Sequence, residues 1–368
     1  MNRALARINL AAIERNCARL AAATPQLCAV VKANAYGHGA VECSRAALAG
    51  GASWLAVAAA AEASELRAGG VRAPILVMGA LTRGELELAL AADAEVVAWS
   101  EEFLDWLVAL GGGRVHVKLD SGMGRLGTRD GALADRLARR AARGQEGLTL
   151  VGAMTHLATA EEADRGFMEA QLERFRSWVQ PLAERSPGLL VHAENSAALL
   201  GAGRSRFAMV RCGGAVYGLD PYGVGPQQWG LEAALELRSW VAAVKPCAAG
   251  ESAGYGRRFV ATEDTELAVV PVGYGDGVRR LLSGNAEVLI GGRRRPLVGT
   301  VSMDNVTIDL GAGSGVPVGA TVMLIGADGT ERITAEEVAA LQGTINYEVT
   351  CAVSPRVPRE YHRDGVAA

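Results

Sequence analysis

The sequence predicts an α/β fold, a (β/α)8 TIM-type barrel, followed by a mostly β C-terminal domain. From residue 28 to about 214, short continuous apolar runs alternate with longer amphipathic patterns that are typical of helices. Continuous runs indicate parallel strands that are covered on both faces. After about residue 230 the runs become short, β-branched or alternating, and are separated by glycines. The Pro- and Gly-rich segment 221–230 is the predicted connector, so we expect domains at 1–230 and 231–368.

Eight apolar runs supply the predicted barrel strands. They lie at 29–34, 54–58, 74–79, 95–99, 115–120, 150–156, 190–196 and 208–214. Amphipathic helices are predicted between them at 61–69, 83–92, 101–110, 131–143 and 161–180, the last ending before Pro181. Eight strands with helical crossovers suit a barrel of about 250 residues or slightly fewer. A doubly wound open sheet is the alternative that this pattern leaves open.

The C-terminal part reads as a β domain with one short helix. Its predicted strands lie at 235–244, 266–272, 286–290, 297–301, 305–310 and 321–325. A helix is predicted near 334–341 and a last strand near 348–353. Glycine turns between the runs support the assignment of separate short strands.

The composition is that of a folded protein without a strong charge bias. Half of the 368 residues are hydrophobic and 21% are charged, which suits a sizeable core. The formal net charge of −3 does not favour nucleic acid or an anionic membrane as the main partner. No apolar run reaches about 18 residues and no signal pattern opens the chain, so we expect neither a spanning segment nor secretion. Six scattered cysteines without a C-x-x-C pair indicate reduced thiols and a cytoplasmic protein.

Lysine is scarce in this chain, since only Lys32, Lys118 and Lys245 occur among 37 basic residues. A GC-rich genome accounts for most of the arginines without any functional meaning. Arginine cannot lose its proton in a protein, whereas lysine can be tuned to a neutral amine. The surviving lysines are therefore candidates for a reactive amine.

Polar residues gather at the ends of the predicted barrel strands, where barrel enzymes carry their active sites. They are Lys32, Asn34, Tyr36, His38, Lys118, Asp120, Arg125, His156, Asn195, Ser196, Arg211, Gly213 and Gly214. Each has an ordinary structural alternative, such as a helix cap for Asn34 or a salt bridge for Arg211. Taken together, they predict a ring of polar groups around one barrel mouth.

Several common chemistries are absent from the sequence. The five histidines show no metal-ligand spacing, no G-x-G-x-x-G opens a helix after the first strand, and no G-x-S-x-G elbow occurs. A strand-end lysine in an apolar run, Lys32, suits a Schiff base with a carbonyl cofactor. Gly213, Gly214, Ser196 and Tyr36 could bind its phosphate, and arginine is a recognised partner of the pyridine nitrogen of pyridoxal phosphate (PLP).

Residues 29–39 (AVVKANAYGHG) closely resemble the PLP-binding signature of the alanine racemase family. Supporting segments follow in the family's order at 118–125, 155–156, 195–196, 209–211, 254–256, 272–277, 302–304 and 345–349. The resemblance covers nearly the whole chain and implies a PLP barrel with a C-terminal β domain. Small departures occur at Ala253, Gly254, Gly275 and Glu161, and they leave every chemical group in place.

The resemblance implies a homodimer whose active sites are shared between subunits. Lys32 would hold PLP covalently and exchange a proton at the substrate α-carbon, and Tyr255 from the other subunit would do so on the opposite face. Racemisation needs proton donors on both faces, and each positioned base contributes about 10²–10⁴ in rate. No metal is implied.

The resemblance also implies roles for the remaining site residues. His156 would orient Arg211, which would contact the pyridine nitrogen and leave it unprotonated. The other cofactor-binding residues would be Tyr36, Arg125, Asn195, Ser196, Gly213, Gly214 and Tyr347. The substrate carboxylate would bind near Arg125, Met303 and Asp304, and the entrance would be lined by Tyr274, Asp276 and Glu161. Lys118 matches a lysine that is carbamylated in many members, with a cationic rim lysine as the alternative.

The implied activity is the interconversion of L- and D-alanine, which either supplies D-alanine to the cell wall or degrades alanine. A racemase with broader specificity, acting on serine or lysine, is one alternative, although the bulky phenol of Tyr347 favours a small substrate. A non-catalytic PLP carrier is the other, and the additional β domain with Tyr255 argues against it.

Overall fold

The computed structural model describes residues 2–368 as two compact units. The barrel unit comprises Ile13–Ala35 and Ala40–Val216. The β unit comprises the residues up to Ala12, the short segment Tyr36–Gly39, and Tyr217–Ala368. In the described part of the chain, no helix combines the length and the apolar character that crossing a membrane requires.

Eight parallel strands form the barrel, so the predicted fold class is confirmed. They are Leu27–Val30, Trp54–Val57, Ile75–Val77, Glu95–Ala98, Gly113–Lys118, Leu148–Met154, Leu190–His192 and Val210–Cys212. Each strand pairs with the next up to the seventh, and the first pairs with the last. The remaining gap is bridged by Asn195 and Arg211, which pair in parallel. The sheet is therefore nearly closed, and the open doubly wound alternative is wrong.

Helices alternate with these strands. They are Leu10–Ala21, Ala40–Ala49, Ala60–Ala68, Arg83–Ala91, Glu101–Ala109, Gly131–Ala142, Gly166–Arg185 and Ser196–Ala202. Local caps fix several starts. Thr82 and Glu85 form a reciprocal capping box, and Asp130 accepts from the backbone N–H of Ala132 at 2.8 Å.

One predicted helix end was wrong. The helix Gly166–Arg185 does not end before Pro181 but continues through it for another turn. Proline removes one backbone hydrogen bond and crowds the preceding turn, which normally ends a helix. Here Leu182, one residue beyond Pro181, is fully buried, so packing holds the last turn in place.

The β unit is built on one eleven-stranded sheet. Its strands are, in spatial order, Ala243–Cys247, Thr265–Val270, Val306–Asp309, Arg293–Val298, Ala286–Ile290, Thr321–Asp328, Leu235–Trp240, Leu5–Asn9, Arg359–Arg363 and Val366–Ala367, with Glu331–Ile333 beside Thr321–Asp328. A separate hairpin joins Ser252–Ala253 to Phe259–Val260. The mostly β character of this domain is as predicted, and the short helix near 334–341 is present as Ala335–Gln342.

The predicted strand near 348–353 is wrong, because this segment contains the helix Asn346–Cys351. Its buried residues are Asn346, Val349 and Thr350, which is a helical spacing. The side-chain amide of Asn346 donates to the backbone oxygen of Asp220 and to Glu336, both at 2.8 Å. These tertiary hydrogen bonds outweigh the strand preference of the β-branched residues.

Candidate active site

Lys32 follows the first barrel strand at the start of an unusual turn. Ala33, Asn34 and Ala35 all have left-handed backbone angles, with φ between 51° and 54°. This conformation costs roughly 1–2 kcal/mol for each non-glycine residue. Three such residues in succession persist only where the surroundings enforce them, and such strain is typical of functional sites.

Hydrogen bonds hold this turn in place. The backbone N–H of Ala33 donates to Glu62 Oε1 at 2.6 Å, and Asn34 Oδ1 accepts from the backbone N–H of Ala40 at 2.8 Å. The other carboxylate oxygen of Glu62 accepts from the N–H groups of Ala58 and Ala59 at 2.8 and 3.0 Å. Glu62 therefore ties the turn after Lys32 to the end of the neighbouring strand. Sequence reasoning missed Glu62, since nothing separates it from an ordinary glutamate of a first helical turn.

Arg211 lies at the centre of a buried hydrogen-bond network. Its guanidinium donates to the backbone oxygens of Thr155 at 2.8 Å and Ala193 at 3.1 Å. It also donates to Nδ1 of His192 at 2.6 Å and to Nδ1 of His156 at 3.2 Å. Burial lowers the pKa of Arg211 to about 10, so this group is still protonated at neutral pH.

Positive charge accumulates around this end of the barrel. Burial, and then Arg211 and Arg125, lower the pKa of Lys118 to about 8, with a further contribution from Lys32. Burial and the same cationic groups hold the pKa of His156 well below its ordinary value. The carboxylate of Asp120 accepts from the backbone N–H groups of residues 122–124 and from Arg129. Asp120 is thus already engaged, and the site as a whole is electropositive.

Ser196 lies beside the glycine pair at the end of the last barrel strand. Its hydroxyl accepts from the backbone N–H of Gly213 at 3.1 Å and of Ala215 at 3.4 Å. Asn195 caps the helix Ser196–Ala202, because its side-chain oxygen accepts from the N–H of Ala198 at 3.0 Å. A hydroxyl, a cap and a glycine turn therefore meet at one point, with Gly214 opening the turn Gly214–Tyr217.

The second half of the PLP-like signature belongs to the β unit. The ring of Tyr36 packs edge-on against Tyr347 with centroids 5.5 Å apart, and tilted against Tyr217 at 5.3 Å. Arg359 donates two hydrogen bonds to the backbone oxygen of Gly37, at 3.0 and 3.1 Å. A side chain at position 37 would overlap the backbone oxygen of Thr350, which explains the glycine.

Three other predicted residues of the β unit are exposed, and backbone hydrogen bonds place all three beside the segment 300–303. Tyr255, Tyr274 and Met303 are 74%, 42% and 51% exposed. The hydroxyl of Thr300 donates to the backbone oxygen of Tyr255 at 2.8 Å. The N–H of Tyr274 donates to the backbone oxygen of Ser302, and the next N–H donates to Met303, both at 3.0 Å. Residues 300–303 thus bring these three side chains to one area.

Two arginines link the predicted residues Asp276 and Asp304. Arg356 contacts Asp276 at 3.3 Å and Asp304 at 2.7 Å, and Arg3 contacts them at 3.5 and 3.6 Å. Asp276 is buried and also accepts from the backbone N–H of Gly273. These pairs stabilise the turns that carry Tyr274 and Met303. Glu161 is exposed on the barrel unit.

The residues of the barrel unit fit PLP. The cluster of Lys32, Lys118, Arg125 and Arg211 is the electrostatic environment that a phosphorylated, phenolate-bearing cofactor requires. Lys32 supplies an amine, and Ser196 with Gly213 supplies phosphate-sized hydrogen-bonding groups. Within residues 2–368, no group of three His, Cys, Asp or Glu side chains is arranged to hold a metal ion.

Comparison with known proteins supports the same interpretation. The family model described as alanine racemase, N-terminal domain, matches residues 8–221, and that for the C-terminal domain matches 234–361. The chain is 42% identical over 343 residues to an alanine racemase of Symbiobacterium thermophilum, covering 92% of this chain and 90% of that protein. It is 41% identical over 363 residues to one of Streptococcus pneumoniae, covering 96% and 97%.

Solved structures agree. The alanine racemase from E. faecalis superposes with a TM-score of 0.92 at 38% identity, covering 98% of each chain. That of Bacillus anthracis with bound L-Ala-P superposes with a TM-score of 0.91 at 36% identity, covering 100% of this chain and 97% of that one. Together with the barrel and the β domain, these matches define a PLP-dependent isomerase of the barrel type. The chain belongs to the alanine racemase family.

Proposed function

We propose that this chain interconverts L- and D-alanine by a two-base mechanism, with Lys32 and Tyr255 as the two residues that exchange a proton at the α-carbon. Family membership supplies the reaction and the cofactor. The observation that carries the site assignment is the basic cluster of Lys118, Arg211, Arg125 and Lys32, whose charges act together on His156. Such a cluster favours an anionic cofactor and an amino-acid carboxylate.

PLP, when bound, withdraws electrons from the α-carbon and so makes its proton acidic. Lys32 would hold the cofactor through its amine and, when released by substrate, move the proton on one face. Arg211 is only a hydrogen-bond donor and keeps its proton, so the ring nitrogen would accept a hydrogen bond without becoming protonated. Arg211 would thereby limit electron withdrawal by the ring and disfavour transamination. Arg211 is oriented by His156 and His192.

The other site residues would bind and orient the two anionic groups. Ser196, Gly213 and Gly214 would hold the phosphate together with Tyr36 and Tyr347, and Asn195 would fix the turn that carries them. Arg125 and the backbone N–H of Met303 would bind the substrate carboxylate, with Asp304 fixing the position of Met303 through Arg356. Tyr274, Asp276 and Glu161 would line the entrance.

The proposal includes a homodimer in which Tyr255 of one chain faces Lys32 of the other. Support comes from the exposure of Tyr255, Tyr274 and Met303, large side chains that share one area of the β unit. Exposed apolar patches of this kind are typical of interaction surfaces. A cytoplasmic location is proposed as well, because the six cysteines are all free thiols. There the enzyme would supply D-alanine to the cell wall or degrade alanine.

The assignment of Lys32 is tested by trapping the cofactor. Reduction of PLP-loaded protein with borohydride should attach the cofactor to Lys32, as mapped by peptide mass spectrometry. Racemisation of each alanine enantiomer is followed in parallel with the unreduced protein. Attachment to Lys118 or Lys245 would refute the assignment of Lys32, even if racemisation is present.

The role of Tyr255 is tested by removing one hydroxyl. Tyr255→Phe should lower racemisation by about 10²–10⁴ while the PLP absorbance is retained. Tyr222→Phe is the matched control, because Tyr222 stacks on Trp229 outside the proposed site and should keep normal activity. Equal rates in the two variants would exclude Tyr255 as a base. Comparison of alanine with serine and lysine tests the broader-specificity alternative, and bound PLP without any turnover would indicate a carrier.

A further inference from the structure

Four polar side chains form a continuous chain through the interior of the barrel. Glu95 Oε2 lies 2.7 Å from Nε2 of His116, and Nδ1 of His116 lies 2.8 Å from Nε2 of His192. Nδ1 of His192 lies 2.6 Å from the guanidinium of Arg211. All four are buried, and both imidazoles are fully inaccessible to solvent. The roles proposed above use only Arg211 and its contact with His192.

The groups at the two ends of this series of side chains, the Arg211 guanidinium and the Glu95 carboxylate, fix the position of every proton between them. Arg211 can only donate, so Nδ1 of His192 must carry a lone pair and its Nε2 the hydrogen. His192 then donates to Nδ1 of His116, which leaves the hydrogen of His116 on Nε2, directed at Glu95. A charged imidazolium at His116 would place two N–H groups against each other. Both histidines are therefore neutral Nε2–H tautomers, and burial and Arg211 lower the pKa of His192 well below its ordinary value.

The backbone makes room for these hydrogen-bonded side chains. The pairing of the fifth and sixth barrel strands shifts by one residue between Val115 and His116, so that His116 lies opposite Gly152. Shifts of this kind redirect side chains and occur near active sites. A side chain at Gly152 would overlap the ring of His116. A glycine and a bulge are thus both needed for one buried histidine, which an apolar residue in a regular strand would not require.

The hydrogen-bonded side chains from Glu95 to Arg211 connect the two ends of the barrel. Glu95 is the first residue of its strand, and His192 is the last residue of its strand. At the far end Glu95 also accepts from Arg114 at 3.2 Å, and Arg114 is 41% exposed and paired with Asp93. A solvent-exposed ion pair at the N-terminal ends of the strands is therefore hydrogen-bonded, through two imidazoles, to the arginine at the catalytic end.

We propose that Glu95, His116 and His192 form a charge relay that positions Arg211 and compensates its positive charge, and so sets how strongly Arg211 donates to the ring nitrogen of the cofactor. The second part rests on the proposed contact between Arg211 and PLP. The three relay residues are positioning residues, since none of them touches the cofactor or the substrate.

Polarisation along the hydrogen bonds gives the relay its effect. The carboxylate of Glu95 polarises His116, which makes His192 a better acceptor for Arg211, and hydrogen-bonded chains in a low dielectric strengthen one another. The more positive charge Arg211 shares with the relay, the less it donates to the ring nitrogen. Loss of the Glu95 charge should strengthen that donation, whereas loss of the neighbouring Arg114 charge should weaken it.

The relay itself is tested by histidine NMR, independently of activity. The chain has only five histidines, so ¹⁵N-histidine labelling of the PLP-loaded protein gives a resolvable spectrum. We expect the signals of His116 and His192 in the native protein to be those of neutral Nε2–H tautomers, as the hydrogen-bond geometry requires. An imidazolium or an Nδ1–H tautomer at either position would refute the relay. It would leave the proposed racemase function standing.

The effect on the cofactor is tested with ¹⁵N-labelled PLP in two variants of opposite sign. Glu95→Gln keeps a hydrogen-bond acceptor and removes the charge, and should move the ring-nitrogen signal towards that of a more strongly hydrogen-bonded pyridine. Arg114→Met, a change at a partly exposed residue, should move it in the opposite direction. Glu336→Gln, the same change at a buried glutamate of the β unit, should leave it unmoved.

The directions of the ring-nitrogen shifts in the two variants test the proposal. Shifts in the same direction for Glu95→Gln and Arg114→Met, or none in either, would overturn the relay's control of the ring nitrogen. Arg114→Met supplies the decisive sign if Glu95→Gln does not fold. Racemisation by Glu95→Gln should fall by about 10–100-fold, by analogy with the outer hydrogen-bond partners of metal ligands. Failure of the proposed function is recognised separately, since the unmutated protein would then not racemise alanine.

Discussion

Lys118 is a buried amine that lies near other positive charges. Burial, Arg211 and Arg125 together lower its pKa from 10.5 to about 8. Below about pH 8 the native state therefore carries a charge that the unfolded chain accommodates more easily. The difference corresponds to about 3 kcal/mol. Between pH 8 and 10.5 the native state binds fewer protons than the unfolded chain, so stability should rise with pH in that window.

Replacing Lys118 by methionine should therefore stabilise the protein at low pH. We expect Lys118→Met to raise the free energy of unfolding by up to about 3 kcal/mol near neutral pH, and by progressively less towards the ordinary lysine pKa. Urea unfolding at matched protein concentration, in buffers without bicarbonate, measures this. The exposed Lys245→Met is the control and should change little at any pH. An equal increase in the free energy of unfolding for both variants would mean that burial of the Lys118 charge does not destabilise the native state.

Carbamylation of Lys118 would also remove the repulsion between its positive charge and the neighbouring cations. A neutral amine attacks CO₂, one proton is released, and the site gains an anion where cations dominate. The pKa of about 8 makes the neutral amine available near physiological pH. We expect native mass spectrometry to detect one added CO₂ in bicarbonate buffer, more at higher pH, and none in Lys118→Met. Modification of Lys245 to the same extent would show that the site does not direct the reaction.

At the level of secondary structure, the left-handed turn after Lys32 is the element under strain. Ala33 is exposed and has φ of 51°, where glycine is favoured over alanine by about 1–2 kcal/mol. Glycine also costs about 0.5–1 kcal/mol of backbone entropy on folding. We expect Ala33→Gly to raise the free energy of unfolding by roughly 0.5–1 kcal/mol, measured by denaturant unfolding.

A right-handed helix provides the matched control for this prediction. Ala170 is exposed within the helix Gly166–Arg185, and Ala170→Gly there should lower the free energy of unfolding by about 1 kcal/mol. The two substitutions are chemically identical and should have opposite signs. Destabilisation by both would show that the turn after Lys32 stores no relievable strain.

The barrel strands could be predicted from sequence because burial on both faces leaves an unbroken apolar run, as in Ile75–Val77. The helix Asn346–Cys351 could not, because Val349 and Thr350 favour strands locally, and the tertiary bonds of Asn346 decide otherwise. Leu5–Asn9 was missed for a related reason. Its partners are Leu235–Trp240 and Arg359–Arg363, more than 200 residues away along the chain.

The residues of the candidate site also fall into those that the sequence predicts and those that it does not. That strand-end residues such as Lys32 and Arg211 lie at the same end of the barrel could be predicted, since a barrel brings the ends of all its strands together. Glu95, His116 and His192 could not be found as a group, because they lie on three different strands and no sequence motif links them. Their contacts depend on the strand register and on the room that Gly152 leaves beside His116. The sequence signal was only that His116 and His192, like His156, are placed within predicted barrel strands.

At the level of the whole molecule, the proposed sharing of sites between subunits can be tested by complementation. Lys32→Ala and Tyr255→Phe should each be inactive alone. In a mixed dimer, one site would contain both lesions and the other would contain Lys32 and Tyr255 intact. Random pairing in equal amounts makes half of the dimers mixed, so about one quarter of all sites should regain activity.

Co-expression of the two variants with different affinity tags permits isolation of the mixed dimer, in which about half of the sites should be active. If Lys32 and Tyr255 of the same chain served one site, every site in the mixture would carry exactly one lesion and no activity would return. Two differently tagged copies of Tyr255→Phe, purified in the same way, control for recovery by the tags or by contamination. The prediction is specific to the distribution of the two residues over two chains, since PLP binding through Lys32 would be restored equally in both arrangements.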